Sequence, residues 1–196
     1  MPTQQQRSDE TRQGLLAACR ALLLAEGLEA TTMASVLAAT GLSKGALYHH
    51  FTSKTDLIAA IYRAESRGAI DRALAKAGRE AAASPLAELT AMCAAWLGEI
   101  EQAEVAAILF RIGPAALGVE AAQRIENAHS LALFEDMLSR ARDAGEIGRI
   151  DVALAARLIN ALMAELALAR LRTRVTPQPD VRALILGVLK GMEGAA

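Results

Sequence analysis

TTMASVLAATGLSKGALYHHFTSK, residues 31–54, is the stretch whose reading decides the fold. Thr31 can cap a short helix with its hydroxyl, and from Thr32 to Ala39 the apolar residues Met33, Val36 and Leu37 recur at i, i+3 and i+4. Gly41 supplies the freedom a sharp corner needs, Leu42 plugs the corner, and Ser43 caps a second helix over about Lys44–His50. In that helix Leu47 and Phe51 lie four apart and can face inward, which turns Lys44, Tyr48, His49 and His50 outward. Ser53 opens a longer helix, with Asp56 completing a capping box and Lys54 exposed in its first turn. No acid occurs between Glu29 and Asp56, while the same window holds Lys44, Lys54 and two histidines. Such a surface suits phosphate oxygens. Two short helices joined by a glycine turn match the helix-turn-helix that places a recognition helix in a DNA major groove. The pattern also fits a plain helical hairpin with a solvated outer face.

GLSKGALYHHFTSKTDL, residues 41–57, resembles the signature of the TetR/AcrR family of one-component transcriptional regulators. The resemblance implies that Ser43, Lys44 and Gly45 stand at the entry of the recognition helix, with Ala46 also in the DNA-binding set. It implies too that Tyr48 and Lys54 hold phosphates and that His49 or His50 approaches base edges or backbone. Thr31 and Thr32, at the start of the preceding helix, complete the DNA-facing set. One departure is Leu37, where the family more often has a small residue. The resemblance is strong over residues 8–68 and fainter beyond. There LFRIGPAALGVEAAQRIENAHSLAL, residues 109–133, is similar to a helix 6–7 connection of one subgroup, with Arg111 where an acid is common. The implied architecture is all-α: an N-terminal three-helix DNA-binding domain over 8–68 and a C-terminal ligand-binding and dimerisation domain over 69–196.

Composition agrees with an all-helical chain. Of 196 residues 53% are hydrophobic but only 3% aromatic, with alanine and leucine dominating and β-branched runs scarce. The net charge of −1 makes the chain no polycation, and residues 1–67 hold seven Lys and Arg against six Asp and Glu. Charge therefore supports DNA binding only locally, with modest and salt-sensitive non-specific affinity. Cys19 and Cys93 lie alone inside helical patterns, without metal-ligand spacing, and read as buried thiols in a reducing compartment. No secretory leader and no run of about 18 apolar residues is apparent, so a soluble cytoplasmic protein is expected. There is no G-x-G-x-x-G, P-loop or H-E-x-x-H, and His49 and His50 are about 100° apart around a helix, poor metal geometry. Neither a cofactor nor an enzyme activity is expected; a small helical enzyme or an interaction module without DNA binding are the competing readings.

Along the chain, residues 1–7 read as a polar, frayed start. Ser8 begins a first helix whose stripe of Leu15, Leu16, Cys19, Leu22 and Leu23 stops at Gly27. A strut helix over about 54–78 packs Leu57, Ile58, Ile61 and Tyr62 back on this module. Ala81–Ser84 is a loop and Pro85 opens a helix to about 101. A short helix through Arg111 ends at Gly113-Pro114. Helices over 120–144 and 151–173 follow, a Pro177/Pro179 linker breaks the chain, and Asp180 caps a last helix.

The last two helices are apolar on more than one side. Leu154, Leu158, Ala161, Leu162, Leu166 and Ala169 in one, and Leu184, Ile185, Val188 and Leu189 in the other, exceed what one core needs. By the resemblance, this pair meets its symmetry mate in a homodimer, so that two recognition helices can read a palindromic double-stranded DNA operator. An unidentified small-molecule effector is expected in the C-terminal helices. Met92, Trp96, Phe110, Phe134 and Met163 offer bulky walls, with His129 and Glu165 as polar groups. Each could equally be ordinary core. Glu165, in the middle of ALMAELALA, must be paired or protonated if buried.

Overall fold

The computed structural model describes residues 3–80, 84–172 and 180–193, and these are helical with no strand. Most of the expected Ala81–Ser84 loop and the Pro177/Pro179 linker lie outside the described residues. The helices are α1 (Gln4–Ala30), α2 (Met33–Thr40), α3 (Lys44–His50), α4 (Lys54–Glu80), α5 (Pro85–Glu99), α6 (Ala103–Ala106), α7 (Gly113–Leu117), α8 (Val119–Asp143), α9 (Val152–Arg172) and α10 (Val181–Glu193). A π-helical segment, Ala107–Ile112, joins α6 to α7.

The chain divides into two compact units. The first holds the residues up to Glu65 together with Ala107–Gln123; the second holds Ser66–Ala106 and everything from Arg124. Residues 107–123, which a division at 68/69 assigns to the C-terminal half, thus group with the N-terminal helices.

In the first unit α1 starts earlier than its sequence suggests. Thr3 caps it, its hydroxyl accepting from Gln6 N–H at 3.2 Å while the Gln6 side chain accepts from Thr3 N–H at 2.7 Å. That reciprocal box orders a segment read as frayed. Leu15, Leu16, Cys19 and Leu23 are buried as the stripe implies, and α1 packs on α2 and on the π-helical segment. Arg20 and Glu65 close an ion pair at 2.9 Å between α1 and α4.

Gly113-Pro114 does not end a helix but opens one. α7 continues directly from the π-helical segment, with Ile112 still in right-handed helical φ/ψ, and Pro114 falls in the first turn of α7. Gly113 is buried against the ring of Tyr62, itself 1% exposed, whose hydroxyl donates to the Leu109 carbonyl at 3.4 Å. A Cβ at Gly113 would stand 2.1 Å from Tyr62 Cδ2 and 2.9 Å from the Ile108 carbonyl oxygen. The glycine is there for contact, not for a turn.

In the second unit α5, α9 and α10 pack on one another around Leu89, Met92, Leu97, Ile159, Met163, Ile185 and Leu189. Arg140 ties α8 to α5 by donating to Glu88 at 3.0 Å, and it meets Asp136 at 3.1 Å. Both cysteines are buried and free. Burial pushes the Cys19 thiol up to about 11 and the Cys93 thiol up to about 12, so both stay protonated and unreactive near neutral pH.

Gly113→Ala is expected to destabilise the protein by about 1–3 kcal/mol, since Tyr62 must leave its place to admit the methyl. Urea unfolding followed by circular dichroism would show this as a lower midpoint; an unchanged midpoint would mean that the Tyr62 ring moves freely.

Candidate nucleic-acid interface

The segment 31–54 folds as two short helices around a glycine corner, with capping that differs in detail from the sequence reading. Thr32, not Thr31, caps α2: its hydroxyl accepts from Ser35 N–H at 3.0 Å, and the Ser35 hydroxyl oxygen accepts from Thr32 N–H at 2.9 Å. Thr31 is fully buried and donates its hydroxyl to the Gly27 carbonyl at 2.8 Å. It is therefore removed from the surface set. Thr31 was misplaced because two adjacent threonines offer the same cap, and only packing chooses between them.

Gly41 ends α2 in the left-handed region at φ 66°, its N–H donating to the Leu37 carbonyl at 2.9 Å. Ser43 caps α3, its hydroxyl accepting from Ala46 N–H at 3.2 Å. Leu47 is fully buried and Phe51 nearly so, which fixes the rotation of α3 about its axis. The opposite face then presents Lys44, Gly45, Tyr48 and His49 to solvent, with Ala46 and His50 half-buried at its edges. Tyr48 is 44% exposed, a large amount for an aromatic side chain. The Lys44 ammonium lies 5.8 Å from the Tyr48 ring centre, so cation and phenol form one patch. The His49 and His50 rings meet edge-on at 5.2 Å.

Ser53 caps α4, accepting from Asp56 N–H at 3.1 Å. Asp56 also accepts from the Thr52 hydroxyl, and that bond, with those from Ser53, holds its carboxyl below the usual value. Lys54 is not free in the first turn as its position suggested. It is half-buried, and its ammonium donates to the Leu28 carbonyl at 2.6 Å, 26 residues back in the chain. The ammonium keeps further donors for a second acceptor. Sequence reasoning missed Arg12, whose guanidinium sits 5.4 Å over the Phe51 ring and braces the end of α3 from α1. No local pattern links residues 39 positions apart.

The expected effector residues fare differently. Met92, Phe134 and Met163 are buried and Trp96 half-buried, all in the second unit, while Phe110 belongs to the first. The His129 ring is partly exposed, but its Nε2 is shielded from water and stands 4.0 Å from Asp71 Oδ1. Asn160 donates to Asn127 at 2.9 Å. Glu165 is exposed, so the reading of a carboxylate held near an apolar pocket is corrected. It lies on the outer side of α9 with Arg157 and Ala161, where water solvates its charge.

Residues 15–61 match the profile of the bacterial regulatory proteins of the tetR family, and residues 86–192 match the tetracyclin repressor-like C-terminal domain. The chain belongs to the TetR family. Its fold is that of known structures over nearly the whole length. A TetR-family transcriptional regulator from Pectobacterium atrosepticum is 26% identical with a TM-score of 0.71, over 99% of this chain and 95% of that one. The fatty acid degradation regulator FadR from Bacillus halodurans is 16% identical with a TM-score of 0.64, over 94% and 95%. The multidrug binding protein EbrR, complexed with imidazole, is 19% identical with a TM-score of 0.65, over 91% and 94%. No curated protein matches the sequence. As a TetR-family member this is a DNA-binding transcriptional regulator and not an enzyme.

Lys54→Met should lower stability by about 1–3 kcal/mol, because it leaves the Leu28 carbonyl without its charged donor. Denaturant unfolding monitors the loss; wild-type stability would show that water replaces the ammonium without penalty.

Proposed function

We propose that this TetR-family regulator is a cytoplasmic homodimeric repressor that binds a palindromic operator and is released by a small-molecule effector. The observation that carries the DNA half is α3. Its buried Leu47 and Phe51 leave Lys44, Tyr48 and His49 facing outward from a helix of two turns, in a stretch free of acids. Thr32, Ser43, Gly45, Ala46 and His50 border that face, and Lys54 reaches phosphate only with the donors that Leu28 leaves. Lys44 and Tyr48 grip the backbone while His49 addresses base edges.

The effector half draws on the family, whose members generally bind small molecules, and on EbrR, a multidrug binding protein of the same fold. Met92, Trp96, Phe134 and Met163, with His129 at the rim, remain the proposed ligand-facing groups; Glu165 is dropped and Phe110 is assigned no part. An effector that binds the DNA-incompetent state more tightly, by about 1–3 kcal/mol, suffices for release. Footprinting on DNA flanking the gene, across a salt series, tests the DNA half. A protected palindrome of roughly 15–30 base pairs is expected, and no protection at low salt would overturn the reading. Lys44→Ala should weaken binding to every sequence and reduce the salt slope by about one per reader.

The dimer half rests on α9. Its exposed stripe runs Leu154, Arg157, Leu158, Ala161, Glu165 and Ala169, and α10 adds exposed Leu184. Around a two-fold axis at the small Ala161, an antiparallel copy would bring Arg157 opposite the partner's Glu165 and the reverse, since both lie four residues from the crossing. Arg157→Glu should dissociate the dimer and Arg157→Glu with Glu165→Arg should restore it. Sedimentation velocity reads both, and a dimeric Arg157→Glu would place the interface elsewhere.

A further inference from the structure

The last turns of α1, the π-helical segment and α7 enclose a cleft of about 430 Å³, all of it within the first unit. Leu24, Leu28, Ile112 and Ala115 stand among its apolar lining residues, and Glu26 and Arg111 are the two charged residues on its lining. Both charged side chains are exposed, and among the described residues neither makes an ion pair or a side-chain hydrogen bond. Nearby charges are used otherwise: Arg20 is committed to Glu65 and Lys54 to the Leu28 carbonyl.

One unpaired acid and one unpaired base on a single cleft, with apolar walls between, fit a ligand that carries both charges and an apolar tail. We propose that this cleft binds an amphipathic zwitterion of amino-acid size, its ammonium at Glu26 and its carboxylate at Arg111. The end of α1 favours a cation, because helix C-termini carry partial negative charge. A guanidinium can take a carboxylate through two parallel hydrogen bonds. The volume suits a single apolar amino acid, at the small end of ordinary ligand sites.

The cleft also bears on the DNA-reading helices. Gly27 and Leu28 line it, and their carbonyls hold Thr31, just before α2, and Lys54, the first residue of α4. A ligand that fixes this corner fixes where both helices begin. That consequence rests on the DNA-binding reading; occupancy of the cleft does not.

Isothermal titration of the full chain with L-leucine, L-phenylalanine and L-tryptophan tests the proposal. N-acetyl-L-phenylalanine lacks the ammonium, L-phenylalaninamide lacks the carboxylate and glycine lacks the tail. At least one of the three amino acids should bind saturably. The three truncated probes should bind about tenfold or more weakly, and Arg111→Gln and Glu26→Gln should each weaken the amino acid by a similar factor. Both are surface changes, and circular dichroism checks that each variant is folded. No saturable binding of any of the three at about 10 mM, or binding indifferent to both substitutions, overturns the site. Calorimetry reads the ligand without DNA, so its outcome is independent of the operator footprint. Repeating the footprint with the bound amino acid then asks whether the corner couples to the reader.

Discussion

The backbone break at Gly27 sets where α2 and α4 begin. At φ 86° and ψ 177° this residue occupies a backbone region that is essentially glycine's alone, and it breaks α1 there. Open space surrounds the place a Cβ would take, so the demand is on the backbone and not on room. The break presents two carbonyls. That of Gly27 accepts both the N–H of Thr31, at 3.3 Å, and its hydroxyl, at 2.8 Å. That of Leu28 accepts the Lys54 ammonium. The start of α2 and the start of α4 are thus tied to adjacent residues of one turn, and α3 is the helix strung between them. Its outward face is a consequence of these anchors together with the burial of Leu47 and Phe51.

Local chemistry was legible in the sequence and long-range chemistry was not. Gly41, Ser43 and Ser53 act where their residue types predict, because turns and caps depend on three or four neighbours. The inward pair Leu47 and Phe51 followed from spacing alone. Thr31 and Lys54 were misplaced because the deciding partners, Gly27 and Leu28, belong to another element. The same holds for Gly113, read as a stop when its role is to admit the Tyr62 ring from 51 residues earlier. Glu165 was placed near an effector pocket because its neighbours in the chain are apolar. A helix that is apolar on two faces carries a charge comfortably on the outer one, and periodicity does not say which face is outer.

That outer face narrows what α9 can be. By length and composition the helix could cross a membrane, which a search for an uninterrupted apolar run overlooks because Arg157, Asn160 and Glu165 interrupt it. A spanning helix meets lipid on most sides. Here Ala155, Ala156, Ile159, Met163 and Ala167 are buried within the second unit, where α9 packs on α5 and α10. What is left exposed includes the stripe Leu154, Arg157, Leu158, Ala161, Glu165 and Ala169, apolar but for one arginine and one glutamate of opposite sign. Lipid would leave both charges unsatisfied, whereas the proposed pairing with a second copy of the same stripe would satisfy both at once.

Dimerisation and DNA reading are energetically one device in this reading. Each reader offers few cations, and the chain as a whole is near neutral, so a single reader releases few counterions and holds DNA weakly at physiological salt. Joining two readers rigidly makes the second half-site contact intramolecular, at an effective concentration far above that of free protein. Affinity then depends on the distance between the readers as steeply as on their contacts. A modest displacement costs one whole half-site and not a fraction of each. On the proposed mechanism an effector would need to alter only this geometry, because one remaining reader with so few cations would hold the DNA weakly.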